Sequence, residues 1–547
     1  MKTITDRIHS IVMDASKSIG IDDPVFKIES PKISSHGDFS CNVALTLAKK
    51  IGRSPRDIAT EFIDSINNLH GRFFDRIEIA GPGFINMFLS EKIITQELAL
   101  ILEKGHDYGK HNLGKDKAAL VEFVSANPTG PLTVGHGRGA IIGDTISNIL
   151  SFNGYSVERE YYFNNAGKQM NLLALSVHAR YLGILGIDAE IPEGGYEGEY
   201  IKDIAQKVVD TDSEKYVDNI DTDVFKSVAE DEIFDDIKIT LGAMGISFDS
   251  FFNEHELYKD KSIFKVVEML KDKGLIYDKD GATWFKLTDL GKEADRVLIK
   301  SSGEPTYRLP DIAYHVTKFE RGYDLIIDVF GADHMDAYPD VISALSELGY
   351  DESIIDVVIH QFVTIVKDGK PAKMSTRKAN FITIDQLIDE IGIDVLRYFF
   401  LMRGVNTHLQ FDIDLARSQT DENPVFYIQY AHARICNMLA RYESLDSNDI
   451  GKAPKMQLLS TDAERELIIK LISFPDLVRN LSRTLEPQTL ANYVHDIASS
   501  FHKYYAKHKI ITEDKDLTLA RPSLSSATAT ILKTCLDILG ISSPERM

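Results

Sequence analysis

Residues 121–140 read VEFVSANPTGPLTVGHGRGA. Val121, Phe123 and Val124 are β-branched or aromatic and predict a buried strand. Pro128, Thr129, Gly130 and Pro131 stop it, because neither proline can donate a ladder hydrogen bond. Gly135, His136, Gly137 and Gly139 then open a helix. Its apolar face is Ile142, Ile146, Ile149 and Leu150 at helical spacing, and Gly154 ends it. A strand, a glycine turn and a helix N-terminus together make a place for phosphate: free N–H groups point outward, the helix dipole favours negative charge, and glycine lets a ligand approach. A tight turn in an ordinary α/β sheet would explain the glycines equally well. His136 favours a ligand, since an imidazole at a helix start packs poorly in a core and can donate to a phosphate oxygen.

Working outward, the strand YSVEREYYF (155–163) follows the helix directly and ends at Asn164 and Asn165. This β-α-β order implies a parallel, right-handed unit, whose ligands collect beyond the carboxyl ends of the strands. The pattern resumes after residue 305. Tyr307 and Asp311 flank a helix start. Leu325, Ile326, Ile327, Val329 and Phe330 form a nearly uniform apolar strand, as expected when both faces are buried. Asp333 at its end is a candidate ligand contact, although a helix N-cap explains it too. VVIHQFVTIV (357–366) is one more strand. Behind it comes a basic loop, KDGKPAKMSTRK (367–378), which by itself could be an ordinary solvated surface.

Between the two halves, about 186–295 reads as an insertion, acidic through EDEIFDDIK (230–238), with a hairpin at IYDKDGATWFKL (276–287) whose Trp284 is expected in the core. Residues 1–112 read as a separate α+β domain. In it Asp38 is expected to cap the helix carrying Val43, Ala44, Leu47 and Ile51. Residues 402–547 read as an all-α bundle. It includes a helix bearing Ile428, Ala431, Ile435 and Met438, a Thr461–Glu464 capping box, and a last helix from about Ser523 to Leu539. The expected architecture is therefore α/β: a Rossmann-type parallel-sheet domain (113–401) with an insertion, between an α+β domain and a helical bundle.

Composition narrows the classes. No run of about 18 apolar residues predicts a membrane span. The N-terminal stretch is amphipathic and lacks the continuous apolar core of a signal peptide. Cys41, Cys436 and Cys535 are far apart, which predicts reduced buried thiols, no zinc site and a cytoplasmic location. The net charge of −22 argues against nucleic-acid binding by the chain as a whole, though not by a local basic surface.

Several of these stretches together carry a resemblance. TVGH (133–136) and KMSTR (373–377) are similar to the paired signature loops of class I aminoacyl-tRNA synthetases, usually H-x-G-H and K-M-S-K-S. SANPTGPLTVGHGRGA, TYRLPDIAYH (306–315), ENPVFYIQYAHARI (422–435) and the closing SPERM resemble the arginyl-tRNA synthetases in particular, over essentially the whole chain. Two positions depart from the class pattern: Thr133 stands in place of the first histidine, and Thr376 in place of the second lysine.

The resemblance implies ATP, accompanied by Mg²⁺, as a substrate, with L-arginine and tRNA(Arg) as the others. Arginine attacks the α-phosphate to give arginyl-adenylate, and the arginyl group then passes to the 2′-hydroxyl of the terminal adenosine. Catalysis is positioning plus charge stabilisation. It implies catalytic roles for His136, Thr133, Lys373, Arg377 and Lys370, and ATP contacts from Gly135, Gly137, Pro128, Lys373, Met374 and Ser375. For arginine it implies Glu122, Asn127, Tyr307, Asp311 and Asp333, because a guanidinium is best matched by carboxylates and carbonyls. Asp311 is the principal guanidinium candidate. Glu122 can instead meet the substrate amino group, or simply face outward from its strand. Phe84, Asn86, Tyr427, Tyr430 and Met547 match tRNA-contacting positions, with ordinary packing as the alternative for Tyr430 above all. A monomer is expected, without a resident metal. Two competing readings are a catalytically weakened, synthetase-like tRNA-binding protein and a pantothenate-type ligase on the same nucleotide fold.

Overall fold

The computed structural model describes residues 2–31, 34–371, 382–444 and 454–547. Of the expected site residues, Lys373, Met374, Ser375 and Arg377 lie outside the described residues. The chain forms two compact units, one of Leu113–Ser418 with Leu485–Gln488, the other of Met1–Asn112 with Gln419–Thr484 and Thr489–Met547.

The first unit is built on a five-stranded sheet: β1 (Ala118–Glu122), β2 (Ser156–Phe163), β3 (Ser250–Asn253), β4 (Leu325–Gly331) and β5 (Ile355–His360). The order is β5-β4-β1-β2-β3 and every pairing is parallel. β3 comes from the span read as an insertion, so that span supplies an edge strand to the sheet. Ala119, Leu120 and Val121 are fully buried, the condition of a strand covered on both faces. Helix Val134–Phe152 lies so close to the end of β1 that a Cβ at Gly143 would meet Phe123 Cγ at 2.3 Å. That glycine is required by close helix–strand packing.

Register places three acids side by side. Asp328 on β4 pairs with Glu122 on β1, and Glu122 pairs with Glu160 on β2. Paired residues of neighbouring strands point to the same face, so three carboxylates form a row across the sheet. Helix Arg308–Glu320 covers this row.

The predicted hairpin is present as Ile276–Lys279 and Ala282–Phe285, paired antiparallel. Trp284 is only half-buried, stacked on Tyr277 with ring centroids 6.5 Å apart.

In the second unit, a four-stranded antiparallel sheet is joined by Ile4–Ser18, Val43–Ile51 and Pro55–His70, and by long C-terminal helices such as Pro424–Glu443 and Lys515–Leu539. Its two ends of chain are tied by polar contacts: Thr3 donates to Asp476 at 2.6 Å and Arg479 to Asp6 at 2.6 Å. Two expectations are corrected here. Asp38 caps no helix; its carboxylate accepts from the Leu89 N–H at 2.7 Å and from Arg465 at 2.5 Å, and the helix starts after Asn42. The last helix begins at Lys515, not near Ser523, and runs through Pro522. Asp514 caps it, accepting from the N–H groups of Asp516 and Leu517 at 2.9 and 3.1 Å. Burial of Leu519, Ala520 and Leu524 then offsets the one hydrogen bond the proline removes. The Thr461–Glu464 capping box forms as expected.

Candidate active site

One cavity of about 840 Å³ opens at the carboxyl ends of all five central strands, with lining residues from the end of each: Glu122, Tyr162, Glu254, Phe330 and His360. This is where an open parallel sheet collects its ligand. Of the sequence-predicted residues, Glu122, Asn127, Thr133, Gly135, His136, Tyr307, Asp311 and Asp333 line it together. Pro128, Gly137 and Lys370 do not. Gly137 is buried beneath helix Ile384–Ile391, where a Cβ would meet Ile384 Cδ1 at 2.1 Å, so its lack of a side chain serves packing. Pro128 is buried. Lys370 is exposed in an antiparallel hairpin with Val363–Lys367, turned at Asp368 and Gly369, both with positive φ.

One wall is the glycine turn. The Thr133 N–H donates to His136 Nδ1 at 3.3 Å. Nδ1 is thereby the acceptor, which leaves the proton on Nε2. Burial lowers the His136 pKa, so the ring is a neutral donor. Gly135 has open space where a side chain would project, with Thr133 Oγ1 the nearest atom at 3.8 Å. Gly139, which sequence reasoning did not single out from the other glycines, lies against His360: a Cβ there would meet Nε2 at 2.8 Å. His360 is buried and its Nδ1 has no hydrogen-bond partner among the described residues. Burial, reinforced by the charge of Arg138, holds its pKa down at about 4.

A second part of the lining is acidic. Glu122, Glu254, Asp311 and Asp333 line the cavity, and no lysine or arginine does among the described residues. Behind it lies the carboxylate row. Lys318 Nζ donates to Glu122 Oε2 and to Asp328 Oδ1, both at 2.6 Å, and all three groups are buried. Arg321 meets Glu160 with two bonds of 2.6 and 2.7 Å, and the Tyr314 hydroxyl donates to the same carboxylate at 2.5 Å. His315 Nε2 lies 2.9 Å from Asp328 Oδ2. Burial opposes these charges, but the pairing wins for all except one: Lys318, Arg321 and His315 are raised, Glu160 is lowered, and Asp328 is lowered far below the carboxylate range. For Glu122, burial prevails and its pKa is raised.

Glu122 thus reaches the cavity with both oxygens occupied, the second accepting from Ser125 at 2.8 Å. Val124 and Ser125 carry φ of +69° and +44°, a strained turn that brings this hydroxyl back over the strand end. Asn127 is exposed; its amide donates to Gln169 at 3.2 Å and accepts from the Asn164 N–H at 3.0 Å. Tyr307 is exposed at the helix start and Asp333 at the end of β4. Glu254, unnoticed in the sequence, accepts from the Tyr162 hydroxyl at 2.7 Å, and burial raises its pKa. Asp328, His315 and Lys318 were missed as well. The available signal was an aspartate in the middle of an otherwise apolar strand.

In the other unit, Phe84 and Met547 are exposed, whereas Asn86 is buried and accepts from Ser40 at 2.9 Å. Tyr427 packs on His502 with centroids 4.5 Å apart, and Tyr430 accepts from Arg434 at 2.9 Å, whose guanidinium lies 4.4 Å over its ring. Aromatic faces and a cation together suit unpaired bases.

Comparison with known proteins finds three matching regions. Residues 97–397 match the family described as tRNA synthetases class I (R), catalytic domain; 2–89 match the arginyl tRNA synthetase N terminal domain; 428–547 match the DALR anticodon binding domain. The arginine–tRNA ligase of Chlorobium phaeobacteroides is 47% identical, covering 100% of this chain and 99% of its own. That of Chlorobium limicola is 49% identical, covering 97% and 98%. The Thermus thermophilus arginyl-tRNA synthetase structure superposes with a TM-score of 0.80 over the whole of both chains, at 20% identity, and so shares the fold. Among the described residues no helix is long and apolar enough to cross a membrane.

Proposed function

The chain belongs to the class I arginyl-tRNA synthetases, and from that premise we propose how its cavity works. The protein attaches arginine to tRNA at the expense of ATP. The observation that carries the reading of the site is its lining: Glu122, Glu254, Asp311 and Asp333, with no lysine or arginine among the described lining residues, together with a glycine turn that holds the neutral His136.

In this reading the arginine guanidinium lies against Asp311, which combines charge with an oxygen open to the cavity. Glu122, its oxygens held by Lys318 and Ser125, supplies negative potential near the substrate amino group. Tyr307 and Asn127 border the amino acid, and Asp333 lies toward the nucleotide. ATP enters as its Mg²⁺ complex and places its phosphates at the start of helix Val134–Phe152, over Gly135, where the His136 Nε2–H donates to them. Thr133 fixes that imidazole through its backbone N–H. The arginine carboxylate attacks the α-phosphorus, pyrophosphate leaves, and the resulting adenylate is opened by the 2′-hydroxyl of the terminal adenosine of tRNA(Arg). Lys370, with Lys373 and Arg377 of the same basic segment, supplies charge to the departing pyrophosphate; Met374 and Ser375 border the nucleotide. Phe84, Tyr427, Tyr430 and Met547 contact the tRNA, while Asn86 orders the strand that presents Phe84. The protein works as a monomer in the cytoplasm, beside the rest of the translation apparatus.

Exchange of labelled pyrophosphate into ATP tests this chemistry. Arginine-specific exchange that requires tRNA is expected. Absence of exchange with every amino acid, tRNA present, would mean a tRNA-binding protein without activation, and exchange with a different amino acid would overturn the arginine site.

A further inference from the structure

His315 is fully buried on helix Arg308–Glu320, yet it connects the cavity to the carboxylate row. Its Nε2 faces Asp328 Oδ2 at 2.9 Å. Its Nδ1 faces two oxygens of Asp311, the backbone carbonyl at 2.8 Å and carboxylate Oδ1 at 3.2 Å. Carbonyl and carboxylate oxygens can only accept. A neutral imidazole has one N–H and one lone pair, so either tautomer would press a lone pair against an oxygen. Only the imidazolium satisfies both sides.

The charges around it reach the same answer. Glu122, Asp328 and Glu160 are three carboxylates in register, and Lys318 and Arg321 are two of the cations needed to offset them. A charged His315 is the third. Asp311 is then a fourth carboxylate, about one-quarter exposed and without a lysine or arginine partner among the described residues. A cation entering the cavity completes the set.

We infer that His315 is a positioning residue for amino-acid selection: its imidazolium, clamped between Asp328 and Asp311, turns the Asp311 carboxylate toward the cavity as the acceptor for the guanidinium. The inference rests on the reading of this cavity as the arginine site. Asp328 acts at one further remove, by holding the ring in place and charged. Burial and Lys318 both oppose the charge, but the two aspartates outweigh them and lift the His315 pKa to about 10.

The test uses the full-length enzyme with tRNA. In His315→Gln, one amide cannot donate to both aspartates, and KM for arginine should rise about 10- to 100-fold, the scale of one misplaced charge-assisted hydrogen bond. KM for ATP should change by less than about twofold, a split that general loosening of the fold would not produce. A rise in both KM values together, or in neither, overturns the inference. Asp311→Asn is the control. If it leaves KM for arginine unchanged, the arginine reading of the cavity fails; if it raises that KM while His315→Gln does not, only the role of His315 fails. Should the variant not fold, the native protein still decides. With ¹⁵N-labelled histidine, the ring nitrogens of His315 should both carry protons at pH 7.5, and a signal with one bare nitrogen overturns the proposal.

Discussion

Two buried histidines, His360 lining the cavity and His315 behind it, are held in opposite states. His315 is buried between aspartates and stays charged, with a pKa of about 10, whereas His360 is buried beside Arg138 and an unsubstituted glycine and stays neutral, at about 4. Burial pushes both down. The neighbours decide the outcome: two carboxylates reverse the effect of burial, and a guanidinium reinforces it. The two walls differ in the same way. The acidic wall offers fixed charge for a cation. The glycine wall offers neutral imidazoles and open space, with the Asp333 charge acting on both His136 and His360. A single aminoacyl adenylate needs both.

The largest expected effect falls on the glycine wall. Replacing His136 with Ala removes a donor aimed at the phosphates and should lower kcat for aminoacylation about 100- to 1000-fold, the range found for one oxyanion donor. KM for arginine should stay near its original value, and steady-state kinetics with each substrate varied will show it. A fall in arginine affinity of the same size would erase the distinction between the walls. Asp311→Asn should do the reverse. It should raise KM for arginine about 100-fold, roughly 3 kcal/mol for a charged hydrogen bond, and leave KM for ATP nearly unchanged.

The histidines should separate in stability against pH. His360 has a folded pKa of about 4 against 6.5 unfolded. The unfolded chain therefore binds the proton first, and stability is lost as pH falls from about 6.5 toward 4, by about 3 kcal/mol. His360→Asn should flatten that acid limb in denaturant titrations between pH 4 and 7. His315, raised to about 10, has the opposite sign. Its contribution is fully present below 6.5 and is lost as pH rises through 10, so His315→Gln should flatten the alkaline limb. Identical pH profiles for the two variants would break the comparison. The smallest effect is expected at Lys370, exposed and outside the cavity lining. Lys370→Ala should raise KM for ATP by about threefold or less, since an exposed charge is screened.

Much of the site was legible in sequence because it is local. The glycine turn, His136, Tyr307 and Asp311 belong to short stretches whose backbone signals occur together. The residues that escaped are those whose meaning depends on a partner. Asp328 in an apolar strand and Lys318 in an amphipathic helix look like blemishes until each meets the other. Gly137 and Gly139 are two residues apart on one helix, about half a turn, and so one lies beneath Ile384 and the other against His360 at the cavity.

By itself the sequence determined the α/β order of the catalytic part, the strand-turn-helix at the cavity, the helical end of the chain and the resemblance to arginyl-tRNA synthetases. These rest on periodicity, turn chemistry and short motifs, all written within a few residues of one another. Only the tertiary structure decided that Asp328, Glu122 and Glu160 stand in one row, that Lys318, Arg321 and His315 hold it, and that Asp311 meets His315 at the cavity with no lysine or arginine partner among the described residues. The physical reason is register. Parallel strands brought together by long crossovers carry no local signal of their alignment, and a shift of one residue would have turned these carboxylates to the opposite face.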